Sequence, residues 1–411
     1  MKRRSFLGRS ATFAASSLAT LGLSGWWLRQ PARAASSRSL LVVFLRGGAD
    51  SLNVLVPYGD PAYYSLRPTI AIAPPRRTNS QTDGAIALTE GFGLHPALAD
   101  LLPLWQQGQL SFVPACGLRP ASRSHFKAQD DLEVGSPDSK AIADGWMNRL
   151  LGQLSDGSVV QGVNFGGPTP LIMRGRQSVS NFPLRTATDA PNRRQVELAD
   201  AFSQLYQGAD TLGQAYREGR EAQALLTDAL QREMVESGRG APSSRTFADR
   251  GHQLGQLLAA EVGTQVAFLS VGGWDTHVSQ GGRAGRLADQ LENLGRGLAA
   301  LREGLGSALA TTAIVVMSEF GRTAAENGNR GTDHGTAGLL WVLGGGFNGG
   351  HVFGTWPGLG ESQLYQGRDL AVTTDIRDAI ASVLAAQFQL DRTQLSEIFP
   401  GHSFTARLPL V

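Results

Sequence analysis

Six short apolar runs, rich in Val, Ile and Leu, recur along this chain, and each is bounded by Gly or polar residues. They are Ser39–Leu45, Leu110–Ala115, Val159–Phe165, Thr264–Val271, Thr311–Ser318 and Gly338–Leu343. Runs of this length and kind suit strands buried on both faces. Helical patterns lie between them. Pro96–Gln107 is one. Ala284–Leu305 is the clearest, with Leu287, Leu291, Leu294, Leu298, Leu301 and Leu305 stepping by four and three along one face. Strands alternating with helices predict an α/β fold with a largely parallel central sheet and helices on both sides. Residues 195–234 read as a polar helical excursion, followed by a loop at Ser237–Arg245. No linker splits the chain, so one domain over 35–411 is expected.

Open α/β sheets hold ligands outside the carboxyl ends of their strands. The polar residues that follow the apolar runs are therefore the candidates. The first run leads into Arg46-Gly47-Gly48-Ala49-Asp50-Ser51-Leu52-Asn53, and the run near 270 into Gly272-Gly273-Trp274-Asp275-Thr276-His277. The run near 315 leads into Glu319-Phe320-Gly321-Arg322, and Thr332-Asp333-His334-Gly335 comes just before the last run. Carboxylates and imidazoles are ligands for zinc, manganese, magnesium or calcium. A single carboxylate at a strand end is ordinarily a cap or turn former, and Asp144 reads that way. The recurrence on one edge is what points to a metal. His95, His252 and His402 read as structural, which leaves His125, His277, His334 and His351.

The segment Arg119-Pro120-Ala121-Ser122-Arg123-Ser124-His125 follows the second run. A serine at a helix start has free backbone N–H groups beside it, which can hold an oxyanion. A metal can activate its hydroxyl. The same serine also suits a plain N-cap.

Charge narrows the class. The formal net charge is +2, but residues 1–34 hold six basic groups and no acidic one, which leaves a net of −4 on the rest. That balance excludes a broad nucleic-acid surface. Lys2-Arg3-Arg4-Ser5-Phe6-Leu7, an apolar stretch and Ala32-Arg33-Ala34 form a twin-arginine export signal over 1–34. The expected partner during export is the twin-arginine translocase, and the expected location periplasmic or extracellular. No later stretch is apolar for about 18 residues, so no membrane span is expected in the mature chain. One cysteine, Cys116, excludes an intrachain disulfide and reads as a buried thiol.

The strings LRGGADSLNVLVP, RSHFKAQD, DGWMNRLL, GGWDTH, SEFGRT and GTDHG together resemble a bacterial family known as domain of unknown function 1501. That family is placed in the alkaline phosphatase and sulfatase superfamily, and the resemblance implies a three-layer α/β/α sandwich with a two-metal site. It implies Asp50 as a metal ligand after the first strand, Ser124 as nucleophile, and Asp275 with His277 on one metal. The superfamily's later Asp-His pair matches in two ways. By local letters it is Asp333-His334, with His351 as the final ligand. By strand order, which keeps strand and ligand together, Glu319 takes the Asp position and His334 is the final ligand. Phe320 then stands where a ligand is usual, which puts the second metal in question. His125 or Asp333 could supplement the set. Arg46, Asn53, Arg123 and Arg322 are the candidate anion binders. Cys116-Gly117-Leu118-Arg119 lacks the formylglycine context, so a formylglycine sulfatase is disfavoured. The expected function is an exported metal-dependent hydrolase of phosphate or sulfate esters acting through Ser124. The alternative is a non-catalytic or metal-binding secreted protein on the same scaffold.

Overall fold

The first apolar run folds as β1 (Ser39–Leu45), and its side chains divide between two cores. Leu41, Val43 and Leu45 face one and Leu40, Val42 and Phe44 the other, because successive strand residues point to opposite sides. The structure, a computed structural model, describes residues 38–75, 84–136, 142–154, 161–166, 168–182, 247–260, 263–405 and 407–410. The segments expected as an export signal (1–34), a helical excursion (195–234) and a loop (237–245) lie outside the described residues.

Seven further strands join β1: β2 (Leu110–Gly117), β3 (Gly162–Phe165), β4 (Val179–Phe182), β5 (Val266–Val271), β6 (Thr312–Met317), β7 (Gly338–Gly344) and β8 (Thr374–Asp375). Their order is β8-β2-β7-β6-β1-β5-β3-β4. β1 pairs in parallel with β5 and β6, with Leu40 opposite Val266 and Ala313. β7 runs antiparallel to both its neighbours, β2 and β6. β4 and β8 escape the pattern of apolar runs, being half-exposed or two residues long.

Helices cover both faces, giving the expected three layers. On one side are α3 (Phe247–Ala259) and α4 (Arg286–Leu305), whose six stripe leucines share a core with Leu41 and Val43. Each leucine so buried contributes about 2 kcal/mol. The two helices pack backbone to backbone, since a methyl added at Gly251 would lie 2.0 Å from the Gly297 carbonyl. On the other side, α2 (Trp146–Leu154) and α5 (Ile376–Phe388) pack against Leu40, Val42 and Phe44. α1 (His125–Val134) follows β2. No helix among the described residues is long and apolar enough to cross a membrane.

The consequence for function lies at one sheet edge. β1, β2, β5 and β6 all end there. β7, running the other way, starts there, so the Asp333-His334 loop before it meets the loops after the others.

Candidate metal centre

Arg322 ties these loops together. Its side chain is fully buried, and Nε donates to the Gly48 carbonyl (2.6 Å). Nη1 donates to the Thr332 carbonyl (3.0 Å), and Nη2 to the carbonyls of Gly47 and Trp274 and to Asp275 Oδ1 (2.5 Å). One guanidinium thus joins the loops after β1, β5 and β6 to the loop before β7. Gly48 makes the approach feasible. It sits at φ +66°, and an added Cβ would lie 2.4 Å from the Phe320 ring.

Above this platform, three imidazoles and one carboxylate meet. His125, the first residue of α1, donates from Nδ1 to Glu319 Oε1 (2.7 Å). His277 Nδ1 lies 3.1 Å from Asp333 Oδ1, and His334 Nδ1 lies 2.9 Å from the Arg123 carbonyl. An oxygen at Nδ1 fixes the proton on that nitrogen in a neutral ring and leaves Nε2 as an acceptor. In its neutral form each of the three rings would therefore turn an Nε2 lone pair inward, and Arg322 Nη1 lies 3.5 Å from that of His277. His277 Nε2 and His334 Nε2 are 2.9 Å apart, and Asp275 Oδ1 is 3.0 Å from the first and 3.4 Å from the second. His125 Nε2 is buried without a hydrogen-bond partner, 3.7 Å from Asp275 Oδ2. Ligand atoms of His125, Asp275 and His334 lie within 4.8 Å of one another.

Facing lone pairs and a carboxylate repel unless a cation or proton lies among them. Histidines that ligate metals characteristically give their other nitrogen to a carboxylate or carbonyl, and here all three do. The donor set fits a divalent ion of the borderline kind. Phe320 cannot ligate. Its buried ring instead packs against His125 and His334, with centroids 4.8 and 5.0 Å away.

The surroundings keep the three carboxylates ionised and His334 neutral. Burial pushes Asp275 up, but the Arg322 hydrogen bond and charge, with His277 and His125, outweigh it and hold the carboxyl below its ordinary value. Burial likewise pushes Glu319 up. Hydrogen bonds from Gln129, its own backbone, His125 and the Gly47 amide bring it below its usual range. The Asn327 hydrogen bond, against burial and aided by His277, lowers Asp333. Burial first, then the positive surroundings of His125 and Arg322, keep His334 neutral to lower pH than usual.

The remaining candidates are placed as follows. Asp50, expected as a ligand, is completely buried, and Arg67 holds it through two hydrogen bonds of 2.6 and 2.9 Å. Gln280 adds a third at 2.6 Å. The guanidinium already supplies the counter-charge that an ion would. Glu319 spends its oxygens on Gly47, Ser318, Gln129 and His125, which makes it an orienting group for His125. Asp333 stands in the same relation to His277. His351 lies beyond the far end of β7, where its carbonyl binds Phe112 of β2, and it does not reach the cluster. Ser124 is the exposed N-cap of α1, and its side chain makes no capping hydrogen bond. Asn53 is buried, its side chain engaged by Ile70, Tyr63 and the Arg67 that holds Asp50. Arg46 is held by Gln129 and Glu133, and Arg123 by Asp369 and Gln366. Asp144 pairs with Arg149 just before α2.

Sequence reasoning misses Arg67, Gln129, Gln280 and Asn327. Gln129 is four residues after His125, one helical turn on, which is the single local signal among them.

Fold and site together define a three-layer α/β protein with a histidine–carboxylate cluster on the carboxyl edge of its sheet. The chain belongs to the family described as protein of unknown function (DUF1501), whose model matches residues 37–399. No curated protein matches the sequence. Among solved structures, it is similar to the C-terminal periplasmic domain of EcEptC from Escherichia coli in complex with Zn. That match has 10% identity and a TM-score of 0.41, over 90% of this chain and 88% of that one. It is also similar to Ps i-CgsB in complex with k-i-k-neocarrahexaose, with 12% identity and a TM-score of 0.37, over 87% of this chain and 74% of that one.

Proposed function

We propose that this chain is an exported, metal-dependent hydrolase of phosphate or sulfate esters. The observation that carries the metal is that ligand atoms of His125, Asp275 and His334 lie within 4.8 Å of one another, with His277 Nε2 beside the last two and every Nδ1 engaged by an oxygen. His125, His277, His334 and Asp275 would hold one divalent ion, zinc, manganese, magnesium or calcium. With Arg67 on Asp50, a single centre is the reading the residues support. A bound ion would polarise the ester oxygens and lower the pKa of a nearby hydroxyl.

Ser124 is the proposed nucleophile. Its Oγ bonds to the ester phosphorus or sulfur, and the alcohol leaves carrying the serine proton. Water then cleaves the covalent intermediate, restores the proton to Oγ and releases inorganic phosphate or sulfate. The free N–H groups of the first turn of α1 can stabilise the anionic oxygens.

A second reading, metal binding without catalysis, is favoured by the arginines. Arg46, Arg123 and Arg322 are all engaged by protein acceptors rather than free for an anion. Elemental analysis of the folded protein, with a screen of phosphomonoesters, phosphodiesters and sulfate esters, decides between the readings. Asp275→Ala should lose both metal and activity, and Ser124→Ala should keep the metal and lose activity. A protein that takes up no divalent ion ends both readings. One that takes up metal yet turns over no ester leaves the second.

A further inference from the structure

Beneath the proposed centre lies a second polar cluster, sealed from solvent. Asp50, Arg67, Thr276, Gln280 and Thr332 are each 0% exposed. Gln280 is its hub. Nε2 donates to Asp50 Oδ2 (2.6 Å), and Oε1 accepts from the hydroxyls of Thr276 (2.7 Å) and Thr332 (2.8 Å). The carboxylate, paired with Arg67, can only accept, so the amide nitrogen must face it. The amide oxygen then faces the threonines, and both its lone pairs are used.

The threonines carry this arrangement to the centre. Thr276 stands between Asp275 and His277, and Thr332 precedes Asp333 and His334. Trp274 and Thr276 are buried while Asp275 and His277 are not, so sinking Thr276 turns its two neighbours to the other side of the loop. The Thr332 amide donates to the Thr276 carbonyl (3.2 Å), which closes the two loops on each other. His277 and Asp333, facing at 3.1 Å, belong one to each loop. Arg67 anchors the hub, bonding both oxygens of Asp50, Asn53 Oδ1 and the carbonyls of Thr323 and Ala324. A polar network so fully paired in a dry interior holds its members rigidly.

We infer that Gln280 is a positioning residue for the centre. It joins Thr276 to Thr332 and so sets how far His277 stands from Asp333 and His334, with the Asp50–Arg67 pair as its fixed anchor. The inference rests on the metal-binding reading above.

Cobalt is the probe, in full-length protein. Its affinity is read by chelator competition, and its visible absorption reports ligand geometry. Thr276→Val and Thr332→Val each remove one hydroxyl from Gln280, and neither hydroxyl bonds a proposed ligand. Each should weaken cobalt binding about tenfold, as loss of an outer partner does, and shift the absorption bands. Thr276→Ser, which keeps the hydroxyl, should bind as the wild type does. Thr312→Val measures ordinary destabilisation. Thr312 is buried at the start of β6, at the opposite sheet edge, where its hydroxyl bonds the Ala308 carbonyl (2.8 Å). That variant should lower the urea midpoint and leave affinity and spectrum unchanged. A Thr276→Val/Thr332→Val protein with wild-type affinity and spectrum overturns the inference, and so does an equal loss of affinity in Thr312→Val or Thr276→Ser. Wild-type protein that binds no cobalt overturns the metal-binding reading itself, and the positioning role with it.

Discussion

The Nε2 atoms of His277 and His334 lie 2.9 Å apart, although the other nitrogen of each ring is already engaged by an oxygen. In their neutral forms the two rings present lone pair to lone pair beside the Arg322 guanidinium, 3.5 Å from the His277 nitrogen, and a divalent cation would relieve that repulsion. Added zinc or manganese should therefore raise the melting temperature, by about 2.7 kcal/mol of stabilisation at a hundredfold excess over the dissociation constant. His334→Ala should abolish the shift. Differential scanning fluorimetry with and without chelator checks it, and an unchanged wild-type transition would count against the centre.

Asp50 and Arg67 are both fully buried, and their separation in sequence hides the pair. Removing one partner strands a charge in the core. Asp50→Ala should cost about 3–5 kcal/mol in urea unfolding. The folded fraction should still bind one equivalent of metal. Loss of metal at preserved stability would instead make Asp50 a ligand.

Glu319 lies below its ordinary value of 4.5 in the folded protein. Its contribution to stability is therefore fully present above about pH 4.5 and is lost as pH falls through the lower folded value. Glu319→Gln should flatten the dependence of the unfolding midpoint on pH within that acid window. It should also weaken metal uptake about 10–100-fold, as loss of an orienting partner does. Chemical denaturation from pH 6 down to pH 3, read against the wild type, tests the first effect.

Cys116 is buried in β2, and burial pushes its thiol well above the usual range. Ellman's reagent should find no reactive thiol in the native protein and one in denaturant. Rapid labelling under native conditions would contradict the packing around β2.

Much of the fold is legible in the amino-acid order because the central strands are continuous apolar runs. SLLVVFL becomes β1 and the Leu287–Leu305 stripe becomes the buried face of α4. The edge strands β4 and β8 are not legible, since short or half-polar segments acquire strand geometry only from their neighbours. The strand-end residues could be found by the same logic, but not their division of labour. Whether Glu319 faces an ion or an imidazole depends on Gln129 and on the Gly47 amide, which approach from other elements. Asp50 looks like Asp275 in sequence, and both meet a guanidinium; Asp50 is sealed in the core with Arg67, whereas Asp275 stays half-exposed beside the histidines. His125 carries no local mark of its position, because the sheet order alone brings β2 and β7 side by side.

The reversed strand β7 has a temporal meaning. His125 follows β2 and His334 precedes β7, and these strands become neighbours only when β7 is laid between β2 and β6. An ion that needs both histidines can recognise the completed sheet and no shorter stretch of it. Metal capture would then act as a seal on a finished molecule.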